Sequence, residues 1–262
     1  MTPLPVVPNR ELGQHFLGDE NILGVIGRLA ELEPEDVVLE VGPGLGVLTR
    51  YLAQRVGRVH AVELDRSLEP HLRAALEPHG NVDLVFGDAL RLDLAALEPP
   101  PTKLVANLPY NVATPLVIES LDGLPGVELW CVMVQREVAD RFFAAPATKA
   151  YGAVSVLVQL VAERTGFHRV SRTVFRPPPN VDSALVAFRR RGSLPDRYRD
   201  IKRLVEAAFA HRRKTLPNSL ELTGLADRQR AAEALEALGL PPAARAERLT
   251  RAQFAALAEL LA

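Results

Sequence analysis

Three polar side chains stand at the ends of three short apolar runs. Glu63 lies near the end of "RVHAVELD" (58–65), Asp88 near the end of "VDLVFGDA" (82–89), and Asn107 near the end of "KLVANLP" (103–109). A further run, "DVVLEVG" (36–42), leads into glycines 42, 44 and 46. Short β-branched runs bounded by turn residues predict strands, so these groups belong at strand tips. A glycine turn after a strand lets the backbone approach a ligand closely, and the helix that follows offers free N–H groups. A dinucleotide site would carry G-x-G-x-x-G, but Val47 occupies the last position of that pattern, which disfavours pyrophosphate.

The spacing assigns tasks. Glu63 lies 21 residues beyond Gly42, where a carboxylate accepts hydrogen bonds from both hydroxyls of a ribose. Asp65, two residues on, reads as a solvated acid. Asp88 suits the amino group of an adenine, and the Ala89 N–H suits its ring. A glycine turn, a ribose acceptor and an adenine acceptor on consecutive strands describe a nucleoside site without a phosphate cradle. S-adenosylmethionine is a ligand of that kind.

"NLPY" (107–110) supplies a second chemistry. The Asn107 side-chain oxygen and the Leu108 carbonyl each accept one hydrogen of an exocyclic amine, Pro109 holds the backbone rigid, and Tyr110 offers a ring for a planar base. A nucleobase amine is a poor nucleophile because its lone pair is delocalised into the ring. Two acceptors on its hydrogens favour a pyramidal nitrogen whose lone pair points at a methyl sulfonium. No general base is needed before attack, so catalysis reduces to positioning and electrostatic complementarity. A cytosine-C5 methyltransferase would need a cysteine at this strand end. The single cysteine, Cys131, lies in the next run, "LWCVMVQ" (129–135), as a core residue.

The elements that position these groups alternate. Between the runs, 45–55, 67–78 and 113–123 have helical periodicity, which together predicts an α/β fold: a parallel sheet with helices on both faces. A Val- and Arg-rich stretch follows over 153–191, with a strand at 184–190. After "GSLPD" (192–196) the chain reads as helices at 197–210, 227–238 and 251–261, so a domain boundary is expected near 191–196. The chain carries a net charge of -1, yet 13 Lys and Arg against 9 Asp and Glu fall beyond residue 190. A basic tail on an acidic body suggests an anionic macromolecule as partner. One cysteine fits a reducing compartment, and no run reaches the ~18 apolar residues of a membrane helix, so a soluble cytoplasmic protein is expected.

The motifs fall in a recognisable order: "GQHFL" (13–17), "EVGPGLGVLT" (40–49), "ELD" (63–65), "GDAL" (87–90), "NLPYNVATPL" (107–116), "FRPPPNVDS" (175–183) and "HRRKTLPNSL" (211–220). In these the chain resembles the KsgA family of small-subunit rRNA adenine dimethyltransferases. The last block is similar to the ribosomal enzymes rather than to the antibiotic-resistance relatives that methylate large-subunit rRNA. The resemblance implies a Rossmann-like class I S-adenosylmethionine methyltransferase domain over 1–191, its first 35 residues an arm and helix, and a small all-helical rRNA-binding domain over 192–262.

It also implies the site. Gln14, His15 and Leu17 join Gly42, Gly44, Glu63, Leu64, Asp88, Ala89 and Asn107 around the cofactor, whose product is S-adenosylhomocysteine, with no metal. Family members usually have Asn where this chain has His15, so a backbone contact is expected there. Phe175 packs on the target adenine opposite Tyr110, completing a catalytic set with Asn107, Leu108 and Pro109. Arg136, Arg141, Arg189, Arg190, Arg191, Arg212, Arg213 and Lys214 form the expected RNA-contacting cluster. The implied partner is small-subunit rRNA within a partly assembled 30S particle, met by a monomer, with no membrane. The implied target is two adjacent adenines in a hairpin near the 3′ end.

Overall fold

The apolar runs pair as expected from their β-branched content. In this computed structural model, which describes residues 6–9, 12–109 and 112–262, the chain begins with a two-residue strand, β1 (Phe16–Leu17), and a helix, α1 (Glu20–Leu29). It then alternates β2 (Val37–Val41), α2 (Val47–Ala53), β3 (Arg58–Glu63), α3 (Glu69–Leu76), β4 (Val82–Phe86), β5 (Lys103–Asn107), α4 (Ala113–Gly123) and β6 (Leu129–Gln135). Next come α5 (Arg136–Phe142), α6 (Ala153–Val161), β7 (Ala162–Val170), β8 (Phe175–Arg176) and β9 (Ser183–Arg190). Four helices follow: α7 (Tyr198–Ala210), α8 (Leu216–Leu222), α9 (Arg228–Ala237) and α10 (Arg251–Leu260).

Seven strands form one sheet in the order β4-β3-β2-β5-β6-β9-β7. The five from β4 to β6 are parallel, and β9 runs antiparallel to β6. Strands covered on both faces read as continuous apolar runs, and Val38, Leu39, Leu104, Val105, Cys131 and Val132 are wholly buried. Each such side chain contributes roughly 1.5–3 kcal/mol by leaving water. Burial also pushes the Cys131 thiol up to about 12, which makes it a packing residue. On one face α1 and α2 bring Ile22, Leu23, Ile26, Leu48 and Leu52 onto Val38, Val105 and Met133.

The strand order reverses between β2 and β5. From β2 the chain proceeds outward through β3 and β4, then returns to β5 on the other side of β2. At such a switch point the connections leave the strands' carboxyl ends in opposite directions, and a crevice opens between them. Gly42 follows β2 and Asn107 ends β5, so the two motifs that carry the chemistry flank that crevice.

The chain divides into two compact units: one running to Ala139 and resuming over Glu163–Arg190, the other formed by Asp140–Ala162 and Arg191–Ala262. The chain passes between these units three times, once at the expected position near 191, and Asp140–Ala162 falls in the helical unit. That segment joins the helical unit for a physical reason. Tyr151 is 2% exposed, donates its hydroxyl to the Leu249 carbonyl at 2.8 Å and meets the Phe209 ring edge-on at 6.1 Å. The Arg251 guanidinium donates to the Gln159 carbonyl at 2.9 Å. Within this unit α7, α8, α9 and α10 match the expected helical tail, with α8 added. Among the described residues no helix is long and apolar enough to cross a membrane.

Candidate active site

The glycine turn owes its shape to two left-handed residues. Gly42 has φ 76° and Gly44 φ 58°, values that an L side chain adopts only under strain. Space is short as well: a Cβ on Gly42 would lie 3.4 Å from Pro109 Cδ, and one on Gly44 would lie 3.0 Å from the Phe16 ring. The turn after β2 and the "NLP" segment after β5 are therefore in direct contact, as the switch point requires. Gly46, also left-handed at φ 71°, then starts α2.

Glu63 ends β3 and is 6% exposed. Its carboxylate accepts from the Gly44 N–H at 3.0 Å and the Asp65 N–H at 2.9 Å. Burial lifts its proton affinity above the usual carboxylate range, while the N–H groups of Asp65, Gly44 and Leu64 pull the other way. Each oxygen retains acceptor capacity for a hydroxyl. Asp65, expected to be merely solvated, does more. It accepts from the Gln14 side-chain amide at 2.7 Å and from the Ser67 N–H at 3.0 Å, and so fastens the N-terminal segment to the tip of β3.

That segment is paired at its other end. β1 runs antiparallel to β8 with Leu17 opposite Phe175 and Phe16 opposite Arg176, so "GQHFL" and "FRPPP" form one wall. His15 Nδ1 lies 2.8 Å from the Pro177 carbonyl, a tie between the two motifs. The His15 carbonyl also accepts from the Asn107 Nδ2 at 3.4 Å. With the amide nitrogen of Asn107 engaged there, Oδ1 is the end left to accept. The Leu108 N–H donates to the Met133 carbonyl at 3.0 Å, which seats the "NLP" backbone on β6. Tyr110 lies outside the described residues.

These groups line one cavity of about 1100 Å³, its opening to solvent included. Gln14, His15, Leu17, Gly42, Gly44, Glu63, Leu64, Asp88, Ala89, Asn107, Leu108, Pro109 and Phe175 all border it. Phe175 is buried at 3% exposure, whereas Leu64 is half exposed at 50%. Asp88 accepts from the Leu90 N–H at 3.0 Å, and its other oxygen lies 3.4 Å from the exposed Arg91.

Glu40 was not anticipated. It borders the same cavity at 1% exposure, and its Oε2 has no hydrogen-bond partner among the described residues. Burial pushes its carboxyl up to about 8, the Thr49 hydroxyl opposes that rise, and the Glu63 charge adds to it. A buried polar atom without a partner is costly, so this one points to a missing cationic or hydrogen-donating ligand group. The signal was the acid that opens "EVGPGLG", which an apolar strand would otherwise exclude. Phe16, also a lining residue, carried no such signal.

The expected RNA-contacting residues are divided between the two units. Arg136, Arg189 and Arg190 belong to the sheet unit; Arg141, Arg191, Arg212, Arg213 and Lys214 belong to the helical unit. Arg189 pairs with Glu31 at 2.7 Å. Arg190 is engaged within the sheet unit itself. Its guanidinium donates to the carbonyls of Val127, Leu121 and Leu124 at 2.8, 3.0 and 3.2 Å and lies 5.0 Å over the Trp130 ring, so it ties the end of β9 to α4 and to the loop before β6. Arg212, Arg213 and Lys214 are exposed on the turn after α7.

Comparison with known proteins adds an independent line. A family model described as ribosomal RNA adenine dimethylase matches residues 8–262. A protein named ribosomal RNA small subunit methyltransferase A from Rubrobacter xylanophilus is 52% identical over 250 residues, covering 95% of this chain and 94% of its own. Its namesake from Pelotomaculum thermopropionicum is 45% identical, covering 97% and 91%. Among solved structures, a dimethyladenosine transferase from Plasmodium falciparum superposes with TM-score 0.76 at 24% identity, covering 93% and 96%. The 23S rRNA methyltransferase ErmE superposes with TM-score 0.66 at 31% identity, covering 94% and 99%.

Proposed function

The chain belongs to the ribosomal RNA adenine dimethylase family, and from that premise we propose that it dimethylates the exocyclic nitrogen of adenines in small-subunit rRNA, with S-adenosylmethionine as donor. One observation supports this beyond membership. Asn107 is held at the mouth of β5 with its amide nitrogen on the His15 carbonyl, which leaves an oxygen to accept an amine hydrogen.

The residues fit the cofactor. Glu63 suits the ribose hydroxyls, Asp88 and Ala89 the adenine, and the Gly42–Gly44 turn the close approach of the chain between them. Glu40, which borders the cavity and whose Oε2 has no partner among the described residues, suits a cationic ammonium. When bound, the cofactor supplies a methyl group on a positively charged sulfur. Asn107 Oδ1 and the Leu108 carbonyl then orient the target amine, Pro109 fixes their spacing, and Phe175 offers a face for the base. Catalysis then rests on holding the two reactants in line. The nitrogen sheds its proton after attack, so none of these side chains acts as a base.

The helical unit with its exposed Arg212, Arg213 and Lys214 is the rRNA-docking part, and the enzyme acts as a monomer in the cytoplasm on a partly assembled 30S particle. Two adjacent adenines in a hairpin near the 3′ end are the target. The decisive experiment incubates labelled cofactor with unmethylated 30S particles, naked rRNA and duplex DNA. Label in N6-dimethyladenine of the first supports the reading; label confined to DNA overturns it.

A further inference from the structure

We propose that a second, polar pocket beside the catalytic cavity holds a ribonucleotide flanking the target adenine in the same RNA strand; this deepens the rRNA reading above and rests on it. The pocket is lined by Gln135, Arg136, Glu137, Arg172, Asn180, Val181 and Asp182 and measures about 860 Å³, open solvent included. All seven residues belong to the sheet unit.

Its position follows from register. Asn107 lies opposite Met133 on β6, and Gln135, two residues further, is the last residue of that strand. The pocket therefore opens at the same carboxyl end of the sheet as the amine acceptor, one strand over. Its far wall comes from the loop between β8 and β9, which returns to pair Ser183 with Gln135. Arg172 precedes Phe175 by three residues, so the segment that presents a face to the flipped base also carries a pocket residue.

The pocket is held in shape by its own backbone. The Asp182 carboxylate accepts from the Arg172 N–H at 3.1 Å, and the Asp182 carbonyl accepts from the Arg136 N–H at 3.1 Å. The segments that carry Arg136 and Arg172 are thus both fastened to Asp182. The guanidinium of Arg172 is exposed and makes no ion pair among the described residues, unlike Arg189 with Glu31.

The chemistry selects a ribonucleotide. A planar guanidinium suits a phosphodiester, to which it donates two parallel hydrogen bonds. The Asp182 carboxylate accepts from a hydroxyl through its second oxygen, and a 2′-hydroxyl is the donor that distinguishes RNA from DNA. Val181, 46% exposed, offers an apolar rim for a base. A strand whose adenine is turned into the catalytic cavity must place its neighbouring nucleotide within one backbone step of that mouth.

The test uses the whole enzyme with unmethylated small-subunit particles. Arg172→Gln raises the Michaelis constant for particles about tenfold, the scale of one charged hydrogen bond, and lowers its log–log salt slope by ~0.7–0.9. Cofactor affinity by calorimetry and the melting temperature stay at wild-type values. Arg172→Lys restores the slope but only part of the Michaelis constant, since it keeps the charge and loses the fork. An unchanged slope and Michaelis constant in Arg172→Gln overturn the subsite. So does a loss of cofactor affinity or of melting temperature, which would make Arg172 a support for the Phe175 loop. Wild-type enzyme that leaves particle adenines unmodified strikes the proposed function instead.

Discussion

Asn107 donates its side-chain amide to the His15 carbonyl at 3.4 Å, so the orientation of the amine acceptor is set by a residue near the start of the chain. Asn107→Ala removes the acceptor and the tie together. The expected loss in turnover is roughly 10²–10³-fold, by analogy with removal of one oxyanion-hole donor. Cofactor affinity should persist because the ribose and adenine acceptors are untouched. Single-turnover methylation beside calorimetry checks this, and wild-type turnover would remove Asn107 from the mechanism.

Glu63→Ala acts on the other substrate. Loss of a charged acceptor from the ribose diol should weaken cofactor binding by ~1.5–3 kcal/mol. The Gly44 and Asp65 N–H groups lose their partner as well, so a lower melting temperature is expected alongside. Unchanged calorimetric affinity would relegate Glu63 to shaping the turn.

Glu40 gives a pH signature. Its folded value of about 8 lies above the ordinary 4.5, so the fold retains a proton that the unfolded chain releases. Stability from this group is complete below pH 4.5 and is lost as pH rises to about 8. The span corresponds to at most about 5 kcal/mol. Glu40→Gln keeps the shape and removes the titration, so its melting temperature without cofactor should fall less between pH 5 and 8 than that of wild type. Parallel curves would show that Glu40 is ionised in the fold.

Arg190→Ala should separate support from docking. It leaves three carbonyls and the Trp130 face without the guanidinium, at a cost of about 3 kcal/mol. The salt dependence of particle binding should not move. Calorimetric melting with salt titration tests both halves, and a flattened slope at intact stability would return Arg190 to the RNA-contacting set.

Reversing Arg212, Arg213 and Lys214 to Glu should do the opposite. These side chains are exposed, so the melt stays intact while the Michaelis constant for particles rises and its salt slope falls by ~0.7–0.9 per lost contact. An intact melt with an unaltered slope would remove the docking role.

The five parallel strands were legible because both faces are covered, which leaves β-branched runs between turn signals. The strand-tip acceptors were legible because their spacing repeats with the βαβ unit. Other elements carried no local mark. α6, "AVSVLVQLV", is apolar on nearly all sides, so neither period dominates. β7 exposes most of its residues and lacks alternation. The pairing of β1 with β8 is two residues long and joins distant segments, a contact that propensity does not encode. The split of Asp140–Ala162 from its sequence neighbours arises from long-range packing of Tyr151, and the carbonyls that engage Arg190 come from residues more than 60 positions away, which its charge alone does not announce.

The pairing of Leu17 with Phe175 also sets an order of events during synthesis. A nascent chain that has emerged only through β6 holds the glycine turn, Glu63 and Asn107, yet the strand that completes the wall is still inside the ribosome's exit path. Domains fold as units, and β8 belongs to the same compact unit as the glycine turn, Glu63 and Asn107, so the donor cradle and the wall that faces the target are completed together. Completion of the site therefore waits on translation of residues that lie more than 150 positions beyond its first strand, since Leu17 finds its partner only in Phe175.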